Sequence, residues 1–180
     1  MILILGKSTL SYELEQIIPN CVIVGKPEYD FSKQEDCDRL ISNFSPKVVI
    51  NTVGVMSDDL WNVLVTNYVG VAYVSLKFYE KIKNLQIINI SSASTHWVSY
   101  PDINTSRLCY NISKESLTNF GSHMIRKTAN NLDFKITTIE PGKFSSKMNN
   151  HTPGALTAAK VAEIIKFTIQ SSISRISITN

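Results

Sequence analysis

Six short apolar runs alternate with stretches of helical periodicity, and that alternation narrows the folds open to this chain more than any other feature. MILIL (1–5), CVIV (21–24), KVVINTVG (47–54), LQIINISS (85–92), FKITTIEPG (134–142) and SRISIT (174–179) read as strands. Between them, Leu10, Leu14, Ile17 and Ile18 share one helical face before Pro19-Asn20. Val161, Ile164, Ile165 and Ile169 share another near the end. Ser32, with Glu35 three residues on, predicts a capped helix reaching about Phe44. Longer helices are expected over roughly 57–83 and 108–130. Strands that are apolar along their whole length, not alternately, belong to parallel sheets covered on both faces. Right-handed crossovers then give a doubly wound α/β sheet of about six strands, one domain spanning residues 1–180.

A hydrophobic content of 43% and a charged content of 18% are those of a chain that buries an ordinary core. The net charge of +3 comes from scattered lysines, so no nucleic-acid surface is expected. Cys21, Cys37 and Cys109 have no C-x-x-C spacing, and His96, His123 and His151 lie far apart. Neither a disulfide framework nor a metal cluster is expected. The apolar stretch 63–78 is interrupted by Thr66, Asn67 and Ser75 and reads as a buried helix, not a membrane span. MILILG lacks the basic segment of a signal peptide, and the chain reads as cytoplasmic.

Ligands in such folds sit at the carboxyl ends of the strands. The first such turn is GKSTLSY (6–12). GKST is the second half of a phosphate-binding loop, but the first glycine would then fall at Met1, inside a strand. Alternatively, Gly6 and the helix start behind it make a dinucleotide turn, although the later glycines are replaced by Thr9, Leu10, Ser11 and Tyr12. A plain strand–helix turn is equally compatible with this segment taken alone.

Four tyrosines precede a lysine by four residues: Tyr29/Lys33, Tyr73/Lys77, Tyr79/Lys83 and Tyr110/Lys114. Composition predicts roughly 0.5 such pairs, so spacing cannot choose among them. Context can. Only Tyr110/Lys114 follows a strand ending in a serine pair, comes after a polar loop and opens a helix. That places it at the carboxyl edge of the sheet beside Ser91 and Ser92. An ammonium near a phenol favours the phenolate and lowers the phenol's pKa from about 10. A hydroxyl such as that of Ser92 can polarise a carbonyl oxygen.

With these landmarks in order, the chain resembles a short-chain dehydrogenase/reductase: Gly6 after the first strand, NTVG (51–54), TNYVG (66–70), INISS (88–92) with YNISK (110–114), and EPGKFSSKM (140–148). The stretch CVIVGKPEYDFSKQEDCDRL and the turn GKSTLSYEL resemble the dTDP-4-dehydrorhamnose reductase branch. The resemblance implies an NAD(P)-dependent oxidoreductase acting on a small carbonyl or alcohol, with Tyr110 as proton donor, Lys114 on the cofactor ribose, Ser92 on the carbonyl oxygen and Asn67 in a proton relay. It implies cofactor contacts from Gly6, Lys7, Ser8, Thr9 and Leu10. Asp30 would bind the adenine amine and Phe31 flank the ring. Asn51, Val53 and Gly54 would line the ribose and pyrophosphate, and Pro141, Gly142, Phe144 and Ser146 would face the nicotinamide. His96, Trp97 and Tyr100 lie on a loop that could meet substrate. No carboxylate ends the second strand, and Lys7 and Lys26 could meet a 2′-phosphate, so NADP is expected over NAD. A homodimer through the helices at 108–130 and 157–170 is also implied. The rival expectation is a non-catalytic dinucleotide-binding or regulatory protein of the same fold.

Overall fold

In a computed structural model, which describes residues 1–96, 103–143, 145, 155–171 and 175–178, the six apolar runs form one parallel sheet. Its strands are β1 (Ile2–Leu5), β2 (Cys21–Val24), β3 (Val48–Asn51), β4 (Leu85–Ile90), β5 (Phe134–Pro141) and β6 (Arg175–Ile178). They lie in the order β2-β1-β3-β4-β5-β6. The central strands are buried on both faces, as their unbroken apolarity requires; every residue of β4 is buried.

Two apolar layers cover the sheet. On one face, Leu3, Leu5, Val49, Ile87 and Ile136 pack against α2 (Gln34–Asn43), α4 (Gly70–Lys81) and α5 (Thr105–Lys127). On the other, Ile4, Ile50, Ile88 and Ile139 meet α1 (Thr9–Ile17) and α6 (Ala158–Ile169) through Leu10, Leu14, Val161 and Ile165. The chain leaves β1 toward β2 and returns across β1 to β3, so the order reverses between β1 and β3. That is the switch point where such sheets bind ligands.

Three local features differ from expectation. The segment expected as one helix over 57–83 is α3 (Leu60–Leu64), a π-helical turn (Val65–Val69) and α4. The Ser32 capping box does not form: α2 begins after Lys33 without a side-chain cap, and the Ser32 hydroxyl donates to Asp30 instead. The crossovers do not all share one hand. The connection from β5 to β6 keeps the sheet growing in the same direction as the three before it, yet puts α6 on the opposite face, so its hand is reversed. There α6 covers the apolar surface that α1 alone leaves open. The two helices expected to carry a dimer interface, α5 and α6, therefore lie on opposite faces of the sheet.

Candidate active site

At the switch point the ends of β1, β2 and β3 approach closely. Gly6 has φ +97°, a left-handed conformation that favours glycine, and an added Cβ would lie 3.0 Å from the Val53 nitrogen. Gly25, just past β2, lies against the backbone of Lys7. The sequence shows a glycine-poor turn; the structure brings this second glycine to it from the neighbouring strand. Ser8 caps α1 reciprocally with Ser11, each side chain bonding the other's backbone nitrogen. Ser8 and Thr9 are half-buried at this helix start. Leu10, however, is 3% exposed and belongs to the core, so of this residue only the backbone can line a ligand.

The loop after β3 is held by three side chains. Asn51 Oδ1 accepts from the Val53 nitrogen at 3.0 Å. Asn67, in the π-helical turn, accepts from the Val55 nitrogen and donates to the Val55 carbonyl, both at 2.8 Å. Its amide also donates to Ser113 at 3.0 Å, on α5 beside Lys114. With these bonds the side chain of Asn67 is engaged with protein. Lys114 Nζ donates to the carbonyls of Val53 and Ile90, both at 2.9 Å, and so ties the β3 end to the β4 end.

α5 starts at Thr105, earlier than expected, because Asn104 caps it by accepting from the Arg107 nitrogen. One turn apart on it, Lys114 Nζ lies 5.7 Å from the centre of the Tyr110 ring. The expectation that Lys114 depresses the Tyr110 pKa is reversed. Burial pushes the phenol up to about 12, against a smaller opposing pull from Arg107, and burial lowers Lys114 to about 8. The ammonium is spent on two carbonyls, and desolvation decides both groups.

Behind these residues lies a polar network. Ser91 donates to the Lys114 carbonyl at 2.8 Å. Thr118 reaches both Ser91, at 2.7 Å, and the fully buried Glu140, at 3.1 Å. His96 Nε2 lies 3.2 Å from the same Glu140 oxygen. Glu140 immediately precedes Pro141 and Gly142, both buried at the end of β5. Ser92 is joined to Ser94, and Ser94 to Asn111 on α5. The serine-rich run after β4 was the one sequence signal for this network. Phe144, Ser146, Trp97 and Tyr100 lie outside the described residues.

The other three Tyr–Lys pairs do structural work. Tyr73 donates to Asp38 while Lys77 pairs with Glu80, Tyr79 packs edge-on against Phe134, and Tyr29 carries Arg39 over its ring.

The residues fit a dinucleotide at the switch point, where Gly6 packs the β1–α1 turn against the β3 loop beside half-buried Gly54. Around β2 the fit differs from expectation. Lys7 is paired with Glu28, and Lys26 with Asp30 at 3.0 Å, so neither expected phosphate-binding cation is uncommitted. Burial raises Asp30, but bonds from Ser32 and Lys26 outweigh it and hold the carboxyl low. Phe31 is 5% exposed and packed in the core, so it is not placed as the flank of a bound ring.

No family model and no curated protein matches the chain. Solved structures do. A short chain dehydrogenase from Burkholderia cenocepacia J2315 in complex with NADP superposes with TM-score 0.83 at 15% identity, over 99% of this chain and 88% of that one. A 4-hydroxyisoleucine dehydrogenase complexed with NADH and succinate gives 0.77 at 20% identity, over 99% and 97%. A short-chain dehydrogenase/reductase from Vibrio parahaemolyticus gives 0.76 at 15%, over 99% and 98%. At such identities the likeness is one of fold: this chain has the Rossmann-like architecture of those proteins across nearly their whole length.

Proposed function

We propose that the chain is a short-chain dehydrogenase/reductase that reduces a small carbonyl compound with a nicotinamide dinucleotide. One observation carries this reading: α5 presents Tyr110 and Lys114 one turn apart at the carboxyl ends of β3 and β4, on the helix to which Ser92 is tied through Ser94 and Asn111. The likeness to the dTDP-4-dehydrorhamnose reductase branch rests on the stretch CVIVGKPEYDFSKQEDCDRL and the turn GKSTLSYEL.

The chemistry follows from the protonation states. With its pKa near 12, the Tyr110 phenol is protonated at neutral pH and can give its proton to a carbonyl oxygen. Ser92 donates a hydrogen bond to the same oxygen as charge develops on it. Lys114, cationic below about pH 8, uses two of its three N–H groups on backbone carbonyls. The third is uncommitted among the described residues and would hold a ribose hydroxyl. Gly6, Asn51, Val53, Gly54, Pro141 and Gly142 would hold a nicotinamide dinucleotide, which would supply the hydride. Asn67 acts through the loop it clamps at Val55.

For cofactor choice, the carboxylates beside Lys7 and Lys26 oppose a 2′-phosphate. The preference for NADPH expected from the two lysines shrinks accordingly, to no more than about threefold, the scale of exposed ion pairs. A non-catalytic dinucleotide-binding protein is the second reading, favoured by the first turn, where Thr9, Leu10, Ser11 and Tyr12 stand in place of the later glycines.

The deciding experiment is NADPH and NADH binding by fluorescence, followed by a carbonyl-compound panel read by NADPH oxidation. Tyr110→Phe is expected to keep binding and to lose at least about 10²-fold in kcat, the general-acid share. Binding without turnover of any compound supports the second reading, and no binding of either dinucleotide overturns both.

A further inference from the structure

We infer that Ser94 and Asn111 are positioning residues for Ser92, and that the Asn111 amide sets the direction in which the Ser92 hydroxyl donates; this rests on the carbonyl-reductase reading above. Ser94 lies in the single 3-10 turn Ala93–His96 that follows Ser92, and Asn111 directly follows Tyr110 on α5. The Ser92 and Ser94 hydroxyl oxygens are 2.8 Å apart. The Ser94 nitrogen donates to Ser92 Oγ at 3.2 Å, and the Ser94 hydroxyl donates to Asn111 Oδ1 at 2.8 Å. The turn itself is pinned by Thr95, whose hydroxyl donates to the Ser92 carbonyl at 2.9 Å.

A hydroxyl has one proton to give. Ser94 gives its proton to Asn111, so the proton between the two serines belongs to Ser92. In this arrangement the chain runs inward, from Ser92 to Ser94 to Asn111, and Ser92 donates into the protein. To donate to a carbonyl oxygen, it must run the other way. Asn111 turns its amide and donates from Nδ2 to Ser94, Ser94 donates to Ser92, and the Ser92 proton is released toward the substrate. An amide is the side chain that permits this, because it carries an acceptor and donors on one rotatable group. A carboxylate only accepts and would hold the chain inward. An alkyl group would do neither. The half-buried setting of all three residues makes each of these bonds stronger than it would be in water.

The test compares four variants with the wild type, each checked for folding by thermal melt and for cofactor binding by NADPH fluorescence. Asn111→Asp, which locks the inward direction, is expected to lower kcat about 10²-fold, the scale of one lost oxyanion donor. Asn111→Leu and Ser94→Ala, which only break the chain, each lower it about fivefold, the scale of one hydrogen bond. The double variant Asn111→Asp with Ser94→Ala is expected to recover at least about tenfold in kcat over Asn111→Asp, because the lock no longer reaches Ser92. NADPH affinity stays constant throughout. A new negative charge acting on Tyr110 would survive removal of Ser94, so the absence of recovery overturns the inference. So does Asn111→Asp being no worse than Asn111→Leu. A wild type that binds NADPH and reduces nothing removes the reading and the inference together, whereas an active wild type with a fully active Asn111→Asp removes the inference alone.

Discussion

The two ends of the candidate site are built from different forces. Around Ser92, Tyr110 and Lys114, polar groups are buried and bonded to one another: Lys114 is 3% exposed, and Ser91, Thr118 and Glu140 are buried. Around β2, the polar groups are surface ion pairs; the Lys7 and Glu28 side chains are 32% and 57% exposed. Buried bonds act in a low dielectric and fix geometry, while exposed pairs are screened and contribute little. The half that would transfer the proton is therefore rigid, and the half that would select the cofactor is adjustable by salt and by single charges.

The helix α4, which continues from the Asn67 turn, meets the segment after β2 at Gly70, and breaking that contact has the largest expected effect. A β-carbon on Gly70 would lie 1.9 Å from the Phe31 carbonyl oxygen, a backbone atom with no rotamer to escape to. Gly70→Ala is expected to cost about 3 kcal/mol, near the upper end of overpacking, measured by urea denaturation. A loss below roughly 1 kcal/mol would show that the segment around Phe31 shifts readily away from α4.

The buried character of the rigid half can be sharpened by titration. Lys114 has an ordinary value of 10.5 and is lowered to about 8 by burial, so between these values the unfolded chain binds more protons than the folded one. Stability from this residue rises as pH climbs from 8 toward 10.5. Tyr110, raised from 10.0 to about 12, acts in the opposite sense, lowering stability above pH 10. Wild type should gain about 2 kcal/mol between pH 8 and 10 relative to Lys114→Met, in which that rise is absent. Parallel pH profiles for the two proteins would place the ammonium in water instead.

The smallest effect probes the adjustable half. Lys7 holds the Glu28 carboxyl below its usual range, mainly through their hydrogen bond. Glu28→Gln frees Lys7, and the NADPH-to-NADH affinity ratio is expected to rise about threefold, an exposed-pair effect that fades with added salt. An unchanged ratio would mean that Lys7 does not face the 2′ position.

Strands were legible in the sequence because burial on both faces makes a strand apolar throughout, as in LQIINI. The switch-point geometry was legible from their alternation with helices. What the sequence does not show is decided by tertiary contacts. Periodicity over 57–83 could not reveal a π-helical turn whose residue Asn67 bonds Val55, twelve positions away. Ser32 carried a capping signature, but Asp30, two residues earlier, took its hydroxyl. Ser8 and Ser11 cap each other without the usual Glu, which hides the motif in the sequence. Context singles out Tyr110 and Lys114 among the four pairs but does not show their titration, because spacing shows proximity and not where the ammonium is spent. Ser94, Asn111, Thr118 and Glu140 stand far apart in sequence and meet only at the sheet edge.

The pairing of α1 with α6 also has a consequence for synthesis. Leu10 and Leu14 are covered by Val161 and Ile165, about 150 positions later in the chain. At ribosomal rates of about 5–20 residues per second, the apolar side of α1 waits roughly 8–30 s for its partner. Through that interval β1, β3 and β4 can already be stacked, with their other face closed by α2, α4 and α5. Until α6 emerges, α1 alone lies on that face, and the apolar surface it leaves open around Ile50 and Ile88 is the side on which a holding chaperone or a second nascent copy would first engage the chain.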